Sequence, residues 1–271
     1  MKTPPITERA SLYDSLEKMS TREVLQHINH EDQKVALAVR DVIPVVEELI
    51  ERILPLFEQG GRLFYIGAGT SGRLGILDAS EIPPTYGLPP ERVIGLIAGG
   101  DRAIRTAVEK AEDSRDIARD DLSAFRLNHL DTVIGIAASG TTPYVLGGVA
   151  YAKEVGALTA GITNNPNAPL SREAEIPIEV LVGPEFVTGS TRMKSGTSQK
   201  LVLNMISTTL MIRIGRVKGN KMVNMQLNNA KLVERGIRFI VEELGVSRED
   251  ARQLLEKFGS VQKAIQAART Q

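Results

Sequence analysis

From Glu31 onward, Val35, Val39, Val42, Val46, Leu49, Ile50, Ile53 and Leu54 recur at helical spacing, the mark of one long amphipathic helix. Pro44 falls inside that run and predicts a kink or a restart, because proline removes a helix hydrogen bond. Upstream, Ser20 with Glu23 reads as a capping box opening a short helix. Gly60-Gly61 ends the helical stretch. The pattern then changes. Residues 62–66, 92–97, 132–136 and 158–162 are short apolar runs without polar alternation, and 175–182 suggests a fifth. Helical stretches at 101–125 and 143–155 lie between them. Unalternating strands separated by helices predict a parallel sheet covered on both faces, an α/β doubly wound fold. Beyond Gly189 the chain turns helical again, with an apolar helix at 199–214 that packs in a core or at a subunit interface. Ser247 caps a further helix, Gly259 breaks it, and 261–267 forms another. That last pair has the outline of a helix-turn-helix, but no basic stripe runs along it, which favours a packing or dimerisation element. The predicted organisation is a helical segment over 1–54, the sheet domain over 55–218 and a helical region over 219–271.

The 271 residues carry 33 basic and 33 acidic side chains, so no net field draws the chain to nucleic acid or to an anionic membrane. A phosphate ligand has to be held by local groups. Cysteine is absent, which removes disulfides, thiolate metal sites and a cysteine nucleophile. No apolar run approaches the roughly 18 residues of a membrane span, and the opening Met1-Lys2-Thr3-Pro4-Pro5 lacks the apolar core of a signal peptide. The expectation is a cytoplasmic protein.

Two strands feed directly into hydroxyl-rich loops, Gly67-Ala68-Gly69-Thr70-Ser71-Gly72 and Ser139-Gly140-Thr141-Thr142. Ligands of open parallel sheets bind beyond the carboxyl ends of the strands, where both loops fall. Thr142 suits a helix N-cap and Pro143 the first turn. Free N–H groups, the positive helix end and the hydroxyls of Ser139 and Thr142 would then face one spot and bind a phosphate without lysine. Capping alone accounts for one such loop; two on one sheet point to phosphate. The first loop also matches the dinucleotide pattern Gly-x-Gly-x-x-Gly. That reading needs an acidic residue roughly 20 positions on, at the end of the second strand. Glu81 comes too early, and Asp101 opens its own helix.

The motifs extend further than the loops. Gly67 through Gly87, Gly95–Gly100, Ala111-Glu112-Asp113, Gly135–Gly140, Thr142–Val145 and Thr188–Met205 closely resemble the bacterial N-acetylmuramic acid 6-phosphate etherases, from about Ser20 to Asn229. The resemblance implies the sugar isomerase (SIS) fold, a homodimer with sites near the interface, and no cofactor. It also implies cleavage of the D-lactyl ether at C3 of the sugar, giving N-acetylglucosamine 6-phosphate and D-lactate in cell-wall recycling. Glu81 in Asp78-Ala79-Ser80-Glu81 and Glu112 in Ala111-Glu112-Asp113 match the family's catalytic glutamates. The chemistry suits two carboxylates. In the ring-opened sugar the ether lies β to an aldehyde, so removing the C2 proton and protonating the C3 oxygen expels it, and water then adds. Glu81 is the expected acid, with a corner at Pro83-Pro84 expected to fix its direction, and Glu112 the expected base, for the C2 proton or for the incoming water. Thr70, Ser71, Ser139 and Thr142 are the expected phosphate ligands, with Gly69, Gly140, Thr141, Ser190, Arg192 and Lys194 as further substrate contacts. On spacing alone, Glu112 belongs to the charged run 109–115 and reads as a solvated helix face, and Arg192 and Lys194 read equally well as anchors of the next helix. His27, His30 and His129 are scattered, so no metal site is expected.

The chain departs from the family at three places. Members carry arginine where Thr141 stands. The usual N-terminal opening is only partly present, as Thr7-Glu8-Arg9-Ala10-Ser11, and the C-terminal helical region is shorter. Two other readings stay open: a non-catalytic sugar-phosphate sensor, since animal relatives regulate glucokinase by binding phosphosugars, and an aldose-ketose phosphosugar isomerase on the same fold.

Overall fold

A computed structural model describes residues 4–108, 110–227 and 230–269. Glu109 of the charged run and Asn228–Asn229 at the end of the resemblance lie outside the described residues. Contacts divide the chain into two compact units, Met1–Ala79 with Val93–Ile206, and Ser80–Arg92 with Ser207–Gln271. The N-terminal helices therefore group with the sheet instead of forming a segment of their own.

In the first unit, Ser20 opens α1 (Thr21–Asp41) with the predicted capping box: its Oγ accepts from Glu23 N–H, and its own N–H donates to Glu23 Oε2 at 2.7 Å. This helix runs well past Glu31, so the expected short helix and the start of the long one are a single element. The break comes at Val42, and α2 (Ile43–Glu58) begins with Pro44 in its first turn, where no N–H is needed. Then follow β1 (Leu63–Gly67), α3 (Gly69–Tyr86), β2 (Val93–Ile97), α4 (Arg102–Arg105), α5 (Asp116–Ala124), β3 (Thr132–Ile136), α6 (Pro143–Glu154), β4 (Leu158–Thr163), α7 (Pro169–Glu173), β5 (Ile176–Glu179) and α8 (Lys194–Arg213). All five strands are parallel, in the order β2-β1-β3-β4-β5. β1 and β3 are buried throughout, which is why they show no alternation.

Two expectations are corrected here. The helix predicted over 101–125 is broken: residues 106–108 and 110–115 are not helical, and the Glu112 carbonyl accepts from Tyr144 N–H (3.0 Å) of α6. Pro83-Pro84 makes no corner after Glu81. α3 runs through both prolines to Tyr86, where Gly87 N–H closes on the Pro83 carbonyl at 2.9 Å.

The second unit contains a short antiparallel hairpin, β6 (Val217–Lys218) with β7 (Lys221–Met222), which has no clear mark in the sequence, followed by α9 (Ala230–Leu244), α10 (Arg248–Phe258) and α11 (Val261–Arg269). Ile237, Ile240, Leu255, Val261 and Ile265 form its core. Ser247 caps α10 and Gly259 ends it at φ +68°, as the sequence predicts.

An ion pair is sealed inside the first unit. Lys194 Nζ donates to Glu31 Oε2 at 2.5 Å, with both side chains at most 3% exposed. Burial opposes ionisation of Glu31, but hydrogen bonds from Lys194, Lys34 and Tyr13 outweigh it and hold the carboxyl down at about 2. Because the folded value lies below the unfolded one, the pair stabilises fully above the ordinary glutamate range and fades as pH falls towards 2. Glu31→Gln should cost about 3–5 kcal/mol near neutral pH, since it leaves the ammonium of Lys194 buried and unpaired. In melting curves recorded from pH 7 to 2, the gap between wild type and variant should stay constant above the unfolded pKa and close below it.

Candidate active site

β1 leads out to one edge of the sheet through β2, and β3 leads to the other through β4 and β5, so the gap between β1 and β3 is the topological switch point. Both hydroxyl-rich loops emerge there, from adjacent strands, at the position where open α/β sheets bind ligands. They line one cavity of about 400 Å³. Gly69, Thr70 and Ser71 come from the first loop, and Ser139, Thr141 and Thr142 from the second. Glu112 and Asp113 come from the 110–115 loop, Gly189 and Thr191 from the segment before α8, and Glu8 from the N-terminal segment. Among the described residues lining it there is no lysine, arginine or histidine.

The starts of α3 and α6 flank this cavity, and strands of one sheet lie only about 5 Å apart. Thr142 is the N-cap of α6 with Pro143 in the first turn, yet its hydroxyl makes no capping hydrogen bond. Gly140, at φ +68°, turns the chain from β3 towards α6; a Cβ there would sit 2.4 Å from Ala168 Cβ. Ser139 Oγ accepts from Thr141 N–H and Thr141 Oγ1, which folds the loop tightly. Ser71 differs. Its hydroxyl donates to Gln199 Oε1 at 2.8 Å, and Gln199 continues through Asn164 into the buried framework. Its proton is thus spent inside the protein, and what Ser71 presents to a ligand is chiefly backbone.

The 110–115 loop is held by its backbone. Besides the Glu112–Tyr144 hydrogen bond, a Cβ on Gly147 of α6 would lie 2.0 Å from the Arg115 carbonyl, so only glycine lets the loop approach the helix this closely. Tyr144 holds α6 against α5 through its hydroxyl, which donates to Asp121 Oδ2 at 2.7 Å; burial, reinforced by Asp121, pushes that phenol's pKa up. Glu112 therefore sits exposed at the cavity and not on a solvated helix face.

Several expected contacts lie elsewhere. Lys194 is occupied by Glu31. The start of α8 is itself neutralised by buried Glu185, whose carboxylate accepts from Lys194 N–H and Ser195 N–H, each at 2.9 Å. Arg192 is exposed, and neither it nor Ser190 nor Gly140 lines the cavity. The reading of this stretch as an anchor for the next helix is the one the geometry favours. Glu81 is exposed on α3, in the portion that belongs to the second unit, and is not among the lining residues. Glu8 and Asp113 line the cavity without having been singled out as site residues, although the Thr7-Glu8 opening and the Ala111-Glu112-Asp113 motif pointed at their segments.

A phosphate placed between the two helix starts meets N–H donors and hydroxyls. Charge-assisted hydrogen bonds are worth about 1.5–3 kcal/mol each, and a helix end adds about 0.3–2 kcal/mol. Because the Thr142 hydroxyl does not cap its helix, Thr142→Val should leave the melting temperature near that of wild type while weakening inorganic phosphate binding at least about tenfold. Calorimetric titration alongside a melting curve measures both.

The chain is 63% identical over 262 residues to an N-acetylmuramic acid 6-phosphate etherase of Bacteroides fragilis, covering 97% of this chain and 93% of that relative. It is 63% identical to one of Porphyromonas gingivalis (97% and 96%) and 58% identical to one of Christiangramia forsetii (98% and 97%). Residues 45–153 match the glucokinase regulatory protein N-terminal SIS domain, and 110–208 match the SIS domain. The fold is that of a phosphoheptose isomerase from Francisella tularensis, at 18% identity and TM-score 0.57 over 72% of this chain and all of that one. An Escherichia coli CFT073 protein in complex with A5P is similar at 20% identity and TM-score 0.53, covering 74% and 97%. With its SIS fold and near full-length identity to those relatives, the chain belongs to the N-acetylmuramic acid 6-phosphate etherase family.

Proposed function

We propose that the protein cleaves the D-lactyl ether of N-acetylmuramic acid 6-phosphate, releasing D-lactate and N-acetylglucosamine 6-phosphate for reuse of the cell-wall sugar. The observation that carries this reading is the 63% identity over 97% of the chain to relatives of that name. The cavity supports it: backbone and hydroxyl groups suited to an anion lie in the same lining as Glu112. The protein is read as a cytoplasmic homodimer, on its cysteine-free sequence and the family resemblance. Among the described residues no helix is long and apolar enough to cross a membrane.

The phosphate anchors the ring-opened sugar between Thr70, Ser139 and Thr142. Glu112 takes the C2 proton, and the electron pair left on C2 forms the C2–C3 double bond as the C3–O bond breaks. The lactyl oxygen leaves with a proton from Glu81, assigned as acid on the Asp78-Ala79-Ser80-Glu81 match. Water then adds at C3 while C2 regains a proton. Acid–base help of this kind contributes about 10²–10⁴-fold per group.

Purified protein given the muramic acid phosphate should release D-lactate, and Glu112→Gln should lose about 10²–10⁴-fold in kcat. Glu81→Ala should still exchange the C2 proton with deuterated water while releasing no lactate; loss of exchange as well would undo this division of roles. Tight phosphosugar binding without lactate from the wild type would favour the sensor, and sugar isomerisation would favour the isomerase. Gly147→Ala, which pushes the Arg115 carbonyl and with it the Glu112 loop off α6, should lower kcat by about 10²-fold in a protein that still folds, since misplacing a catalytic group by about 1 Å costs that much.

A further inference from the structure

Glu8 brings a carboxylate into the cavity that the elimination chemistry does not use. The segment carrying it is pinned on both sides. Thr7, 1% exposed, is read twice by Asn165: its N–H donates to Asn165 Oδ1 (3.1 Å), and Asn165 Nδ2 donates to Thr7 Oγ1 (2.8 Å). The same Nδ2 reaches the Ser139 carbonyl at 3.1 Å, so the latch is tied to the second phosphate loop. Further on, Ser11 Oγ donates to the Phe186 carbonyl (2.7 Å) and Ser11 N–H to Thr188 Oγ1 (2.9 Å), fastening the segment to the loop that supplies Gly189 and Thr191.

Between these anchors Glu8 stays exposed, with Oε2 only 3.7 Å from where a Cβ on Gly189 would lie. Its carboxylate makes no hydrogen bond or ion pair with the described residues. An exposed carboxylate is content in water, so Glu8 itself gains nothing for the fold from being held at the cavity. Nor does a carboxylate favour a phosphate dianion. An ionised carboxylate is an acceptor only, so its counterpart on a phosphosugar is a hydroxyl donor on the carbon chain, away from the phosphate.

We propose that Glu8 is a substrate-binding residue whose carboxylate accepts a hydrogen bond from a hydroxyl of the sugar chain, and that the Thr7–Asn165 pair is the positioning element that holds it there. The inference rests on the phosphosugar reading given above and adds the residue that separates a sugar phosphate from phosphate itself.

The test is calorimetric titration of wild type, Glu8→Ala, Glu8→Gln, Thr7→Val and the Glu8→Ala/Thr7→Val double variant with N-acetylglucosamine 6-phosphate and with inorganic phosphate, alongside lactate kinetics. Glu8→Ala should weaken sugar phosphate binding about 10- to 100-fold, the range of a hydrogen bond to a charged group, and leave inorganic phosphate unchanged or tighter. Glu8→Gln, which keeps an acceptor, should fall between. Thr7→Val should weaken the sugar phosphate in the wild-type background and do nothing further in the Glu8→Ala background. Unchanged sugar phosphate affinity in Glu8→Ala, or equal loss of both ligands, overturns the role of Glu8; additive losses in the double variant overturn the latch. If the wild type binds the sugar phosphate but releases no lactate, the etherase reading fails while the binding comparison still decides the case of Glu8. A wild type that binds no sugar phosphate defeats both.

Discussion

An anion in this cavity meets no lysine or arginine among the described lining residues, so backbone N–H groups, hydroxyls and the ends of α3 and α6 have to hold it. Everything around the site follows from that constraint. Helix ends and N–H groups act over one turn only, so two helices must start side by side, and adjacent parallel strands at a switch point are the arrangement that provides this. Glu8, Glu112 and Asp113 line the same cavity.

The start of α8 shows the contrast. It has the same free N–H groups, but buried Glu185 accepts from two of them and Lys194 is sealed against Glu31. That helix end is structural, and the charges around it fix the wall carrying Gly189 and Thr191. Helix starts of equal intrinsic chemistry are thus sorted by whether the protein supplies its own anion.

Much of this was legible in the sequence because it depends on local pattern. The unalternating runs at 62–66 and 132–136 read as covered strands, and Thr142-Pro143 read as a helix start; β1, β3 and α6 lie there. What was hidden depends on contacts between distant residues. The spacing around Glu112 suited a helix, whereas residues 110–115 form a loop whose Glu112 carbonyl accepts from Tyr144 N–H, with Gly147 leaving room for Arg115. Lys194 reads as a ligand until Glu31, 163 positions away, is seen against it. Ser71 reads as a phosphate hydroxyl until Gln199 is seen to take its proton. Pro83-Pro84 read as a corner because local rules penalise proline in a helix, yet α3 runs through both to Tyr86.

The most direct measurement is a crystal structure of the protein with N-acetylglucosamine 6-phosphate bound. The account predicts the phosphate between the starts of α3 and α6, within hydrogen-bond distance of the first-turn N–H groups and the hydroxyl of Thr142, with no cation from the same chain touching it. A phosphate seated on lysine or arginine side chains, or anywhere away from the β1–β3 switch point, would contradict it.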